Sequence, residues 1–179
     1  MSAKLFMQPF KTGLVKVKPK GLSGHHRRSC SEGFTLMELM IVVAIISTLA
    51  AIAIPSYLSS RYKAEIAVAI SEIKMIENAV LNYMAENDVL PDSLGDIGMD
   101  QITDPWGRPY EYLRIDGGTT PGLNGKRRRD KNANPVNSDF DLYSMGRDGL
   151  TVAQFTGKKA RDDIVRANNG SYYNLAEKH

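Results

Sequence analysis

The 179 residues hold 23 Lys/Arg against 20 Asp/Glu, enough chain for one modest domain with appendages and too balanced a charge to point to nucleic acid. The net +3 is unevenly placed: residues 1–33 carry seven of the basic residues and one acid, which leaves 16 basic and 19 acidic residues in the body. From Phe34 onward there is no cysteine, and the sole histidine is His179, which excludes a disulfide, a Cys/His zinc site and a Cys–His or Ser–His catalytic pair there.

Residues 1–32 are polar, basic and aperiodic, with Gly21, Ser23 and Gly24 set against helix. They read as a disordered tail, and their positive charge ahead of an apolar run places that end in the cytoplasm. The run itself lasts from Phe34 to Ile54, about the 20 residues that span a bilayer. One carboxylate, Glu38, interrupts it. A charge in hydrocarbon is costly unless it finds a partner, so Glu38 is a candidate functional residue. Two plainer readings exist. One is a single-pass anchor with a chance glutamate. The other is a secretory signal cut after Ala51-Ile52-Ala53, but the preceding tail is long for an n-region and the cut would discard the only long apolar segment.

Pro55 follows the run and predicts a kink or local melting. The helical period then continues: Ile66, Ile70, Ile73, Ile76, Val80 and Met84 recur at three- and four-residue spacing, with polar residues between them. The pattern predicts an amphipathic helix to about Asn87, ended by Leu90-Pro91, which needs a surface to cover one face. Residues 88–179 should supply it. Pro109 to Ile115 and Phe140 to Met145 alternate as strands, with a long Gly/Asn/Pro-rich loop at 116–138 between them. The segment from Arg147 to Asn169 reads as loop, and Gly170 to Leu175 as an edge strand or a loosely packed end. The expected class is α+β: a long N-terminal helix, its first half transmembrane, packed on a small antiparallel β-sheet with long loops.

Gly33-Phe34-Thr35-Leu36-Met37-Glu38-Leu39-Met40-Ile41, with Pro55 beyond it, resembles the processing site of type IV pilins and type II secretion pseudopilins. The resemblance implies a pilin-like fold and cleavage after Gly33 by a prepilin peptidase, with N-methylation of Phe34. Residues 1–33 would then be a removed leader, 34–87 the long helix and 88–179 a periplasmic globular domain. It also implies that Glu38 pairs with the N-terminal amine of a neighbouring subunit. Physics agrees: a glycine admits a close backbone approach, and a buried carboxylate is tolerable beside an ammonium.

Three further motifs lie in the body. Asp104-Pro105-Trp106-Gly107-Arg108-Pro109-Tyr110 reads as a turn entering a strand, with Trp106 packed on the long helix. It is similar to an Asp-Pro-Trp-Gly-x-Pro-Tyr element of the major pseudopilins of type II secretion. Asp141 to Gly149, with Asp162-Asp163-Ile164 later, reads by spacing alone as an Asp-Gly turn and a solvated acidic pair. The resemblance instead implies a structural calcium ion held by Asp148, Asp162 and Asp163, with a carbonyl from Met145. Such an ion would staple a loop-rich domain that lacks a disulfide. Against it, fourteen residues separate Asp148 from Asp162, and Lys158, Lys159 and Arg161 lie between them. The basic run Lys126-Arg127-Arg128-Arg129-Asp130-Lys131 reads as a solvated loop without the aromatics that stack on bases.

Together these features predict a structural subunit of a type II secretion pseudopilus, polymerising through its N-terminal helix to drive folded proteins across the outer membrane. It would sit in the inner membrane by a single pass, with its C-terminal domain in the periplasm. Its expected partners are copies of itself, the prepilin peptidase, minor pseudopilins, and the inner-membrane platform and assembly ATPase. The alternative within the family is a type IV pilus subunit, against which the cysteine-free body counts. A membrane-anchored enzyme is the third reading, and the body has no cysteine and no internal histidine for it to use.

Overall fold

A computed structural model describes residues 33–179, so the tail expected at 1–32 lies outside the described residues. The chain divides between Val43 and Ala44 into two units. Helix α1 (Leu36–Asn87) is capped by Thr35, whose Oγ1 accepts the Glu38 N–H at 3.1 Å. Thr35 thus satisfies one of the free amides of the first turn, and the acidic Glu38 complements the positive end of the helix. The helix runs unbroken through Pro55, so the expected melting there is not found. One lost hydrogen bond and ring crowding, about 3 kcal/mol, do not divide a cooperative helix of 52 residues.

Within the second unit, α1 turns one stripe inward. Ala69, Ile73, Ile76 and Val80 are fully buried, and Ile66 and Ile70 partly so. Met84, expected on this stripe, is 42% exposed, while Ala69 joins it. The last turns of α1 run past the layer beneath, since nearly all of residues 81–89 face solvent. Asp88 closes the helix in the left-handed conformation (φ 57°), its N–H donating to Met84 O at 2.8 Å.

The sheet is an antiparallel meander, β1 (Glu111–Arg114), β2 (Phe140–Ser144), β3 (Ile164–Ala167) and β4 (Tyr172–Leu175), in that spatial order. Tyr112 pairs with Leu142, Tyr143 with Val165 and Val165 with Asn174. Phe140, Leu142, Ile164 and Leu175 join the helical stripe in one core, along with Leu90, Leu94 and Tyr110. The alternate residues Val165 and Ala167 enter a second core with Val136, Phe155 and Ala176, supplied by the loops. The long loops are therefore a third layer over the far face of the sheet.

That second core explains the one missed strand. β3 falls inside the segment expected to be loop, and all four of its residues are buried. A strand covered on both faces loses its apolar–polar alternation, and here one buried position is the charged Arg166. The expected strands at Pro109–Ile115 and Phe140–Met145 correspond to β1 and β2, and the edge strand at the end to β4.

Candidate functional site

In the first unit, Gly33 to Thr35 precede the helix and Gly33 stands in open space. Large apolar side chains are exposed from Phe34 (77%) in this unit to Leu58 (54%), which lies on the same helix within the second unit. The helix is long and apolar enough to cross a membrane. Among the described residues, no cation lies within ion-pair distance of Glu38. A helix that is apolar all round must be covered by lipid or by other helices, and its lone carboxylate calls for an external partner.

In the second unit, the Asp104 to Tyr110 segment is a hub. Asp104 is buried. Its Oδ1 accepts the N–H groups of Trp106 (3.0 Å) and Arg108 (2.9 Å), and its Oδ2 accepts the Ser144 hydroxyl at 2.5 Å. Gly107 supplies the left-handed turn (φ 83°) that this wrapping requires. The side chains then reach out to α1: Trp106 Nε1 donates to Glu65 Oε2 at 3.2 Å, and Tyr110 OH donates to Glu72 Oε2 at 2.5 Å. The expected packing of Trp106 on the long helix is found, with Tyr62 at 6.4 Å between ring centroids.

The expected calcium ligands Asp148, Asp162 and Asp163 each accept hydrogen bonds from protein groups. Asp148 is exposed and its Oδ1 accepts the Leu150 N–H at 2.7 Å. Asp162 Oδ2 accepts the Asp148 N–H at 2.9 Å. Gly146 (φ 63°) lies directly against the Asp162 carbonyl, where a Cβ would collide. Asp163 is fully buried, and its Oδ2 accepts from Thr151 Oγ1 (2.5 Å) and Arg128 Nη2 (3.0 Å). Burial pushes its carboxyl up to about 7, with the Thr151 hydroxyl and the Arg128 guanidinium pulling the other way.

Among the described residues, no three Asp, Glu, His or Cys side chains converge on a metal-sized space. One oxygen, Asp163 Oδ1, is buried without a hydrogen-bond partner. A calcium ion takes six to eight oxygens, and a guanidinium already sits on the same carboxylate, so the residues present do not fit the ion. The loop is held by protein donors instead.

Sequence reading missed three contributors. Arg128, expected in a solvated run, is 2% exposed, whereas Lys126 and Arg129 on either side of it face solvent. Arg108 binds the loop carbonyls of Gly146 (2.7 Å) and Arg147 (3.2 Å). Arg166 joins Glu77 of α1 at 2.7 Å and Asp139 at 2.6 Å. Arg128 had no cue, since charge runs are usually solvated; an arginine inside Ile164-Val165-Arg166-Ala167 was the readable one.

Known proteins resemble this chain in sequence. Residues 28–54 match the family described as the prokaryotic N-terminal methylation motif. Over 146 residues the chain is 31% identical to the type II secretion system core protein G of Pseudomonas aeruginosa, covering 69% of this chain and 88% of that one. The chain belongs to the type II secretion system core protein G family. The core protein G of Vibrio cholerae is 29% identical over 147 residues, 70% of this chain and 86% of its own length. The type IV major pilin PilE of Neisseria gonorrhoeae is 28% identical over 145 residues, 76% of this chain and 82% of the pilin. No solved structure matches. As a core protein G, the chain is a major pseudopilin subunit of the type II secretion system, and its apolar helix α1 fits a membrane-anchored pseudopilin.

Proposed function

We propose that this core protein G polymerises through the apolar half of α1 into a periplasmic filament that drives folded proteins across the outer membrane. Cleavage after Gly33 creates a positive terminus at Phe34, and Glu38 of one subunit pairs with that terminus on the next. Pro55 lets the helix bend as subunits pack. The prepilin peptidase, minor pseudopilins, the inner-membrane platform and the assembly ATPase are its partners. The role is structural rather than enzymatic. The observation that carries this reading is the helix exposed from Phe34 to Leu58, with one carboxylate in it that has no ion-pair partner among the described residues.

Glu38→Ala should insert into the membrane as before and lower filament yield at least tenfold, measured by shearing and immunoblotting; unchanged yield would sink the pairing. The likeness to PilE favours a second reading, a type IV pilus subunit. Deleting the gene separates the two, since secreted enzymes trapped in the periplasm mark the pseudopilus and lost surface fibres mark the pilus.

A further inference from the structure

The Arg128 side chain ends where oxygens from two loops converge. Its Nη1 donates to Val152 O at 2.5 Å, and its Nη2 donates to Thr151 Oγ1 at 2.6 Å and Asp163 Oδ2 at 3.0 Å. The guanidinium carbon lies 3.5 Å from the centroid of the Tyr143 ring. A carbonyl, a hydroxyl and a carboxylate are the oxygen types a hard divalent ion takes. Here they are engaged by a planar cation that the chain itself carries. Arg108 likewise engages two loop carbonyls, those of Gly146 and Arg147.

The backbone holds Arg128 to this task. Its N–H donates to Asp141 Oδ2 at 2.7 Å, and its carbonyl accepts the Val136 N–H at 2.9 Å. Asn137 Nδ2 holds the other oxygen of Asp141 at 2.8 Å. The residue is thus fixed at both ends, in the register that pairs Arg129 with Gln154.

We infer that Arg128 is a built-in cation that closes the acidic loop in place of a calcium ion, so that this domain holds its fold without metal. Arginine suits the place. It stays charged at any working pH, its fork meets several acceptors in one plane, and its face stacks on an aromatic ring. A tethered cation also removes the dependence on ion concentration that a bound ion imposes on stability. The remaining oxygen, Asp163 Oδ1, lies on a carboxylate that already carries a guanidinium, and a divalent ion there would meet like charge.

The test uses the full chain in detergent micelles, melted by its intrinsic tryptophan fluorescence in millimolar calcium chloride and in excess EGTA. The native chain should melt at the same temperature in both, and radioactive calcium should not bind it. A calcium-dependent rise of several degrees, or binding of one ion per chain, would overturn the inference. Arg128→Met keeps much of the volume without the charge and should lower the melting temperature by on the order of 10 °C, with Arg128→Lys between it and the native chain. Equal losses in the two variants, or none in Arg128→Met, would count against the charge. Should Arg128→Met fail to fold, the calcium titration of the native chain decides alone.

Discussion

Arg166 sits on the helix-facing side of β3, 2% exposed, and holds two carboxylates at once: Glu77 from α1 and Asp139 from the approach to β2. Burial alone would push its guanidinium down, but Asp139 and Glu77 outweigh it and hold it above its ordinary value. Tyr173 also donates its hydroxyl to Glu77. The Arg166–Glu77 pair is 89 residues apart in sequence, so it locks the helix to the sheet in a single rotational setting. Glu77→Leu leaves Arg166 with half its countercharge in the core, and such a loss costs about 3–5 kcal/mol. The double variant Glu77→Leu with Arg166→Met should recover most of that, because two apolar groups need no partner. Denaturant melts of the two proteins compare them; a double variant no more stable than the single one would refute the pairing. Glu38 was legible in sequence because its neighbours are uniformly apolar. Glu77 was not, because charged residues between the apolar positions of a helix are ordinary, and its partner is remote.

The segment at β4 reads as an edge strand or a loosely packed end, whereas the second half of α1, β1 and β2 follow from local pattern: period near 3.6 in the helix, alternation in the two strands. β3 does not, because its environment is set by the loops folded over the sheet, which no local window contains. The same packing makes tyrosines poor acids. Burial pushes Tyr110, Tyr112 and Tyr143 up, with the Glu72 carboxylate adding to the effect at Tyr110, and it raises Tyr173 to about 12, helped by Glu77. In the unfolded chain these phenols ionise near 10. Between those values the folded domain keeps protons that the unfolded chain releases, so these phenols leave stability unchanged below about pH 10 and lower it as pH rises toward 12. Phenolate absorbance at 295 nm should therefore rise in two stages, exposed tyrosines first and the buried ones together with loss of helical circular dichroism. A single smooth titration with the fold intact would contradict the burial.

On the scale of the whole chain, two kinds of surface are encoded in one sequence. From Phe34 to Leu58 the large side chains are exposed and apolar on all sides. From Ile66 on, the same helix buries one stripe in the sheet core, and the body from Phe34 onward has an excess of acids. Nothing in the two cores draws on residues before Ile66. The apolar half therefore adds nothing to those two cores and leaves its surface open to lipid or to other helices. A chain of residues 60–179 should be soluble without detergent, monomeric, and cooperative in thermal unfolding. The full chain should need detergent and, on its removal, associate. The short form retains the Trp106 to Glu65 and Tyr110 to Glu72 hydrogen bonds, so its tryptophan emission should match that of the full chain. Aggregation of residues 60–179, or a melt without a cooperative transition, would mean that the first half of α1 is part of the fold rather than an interface left open for assembly.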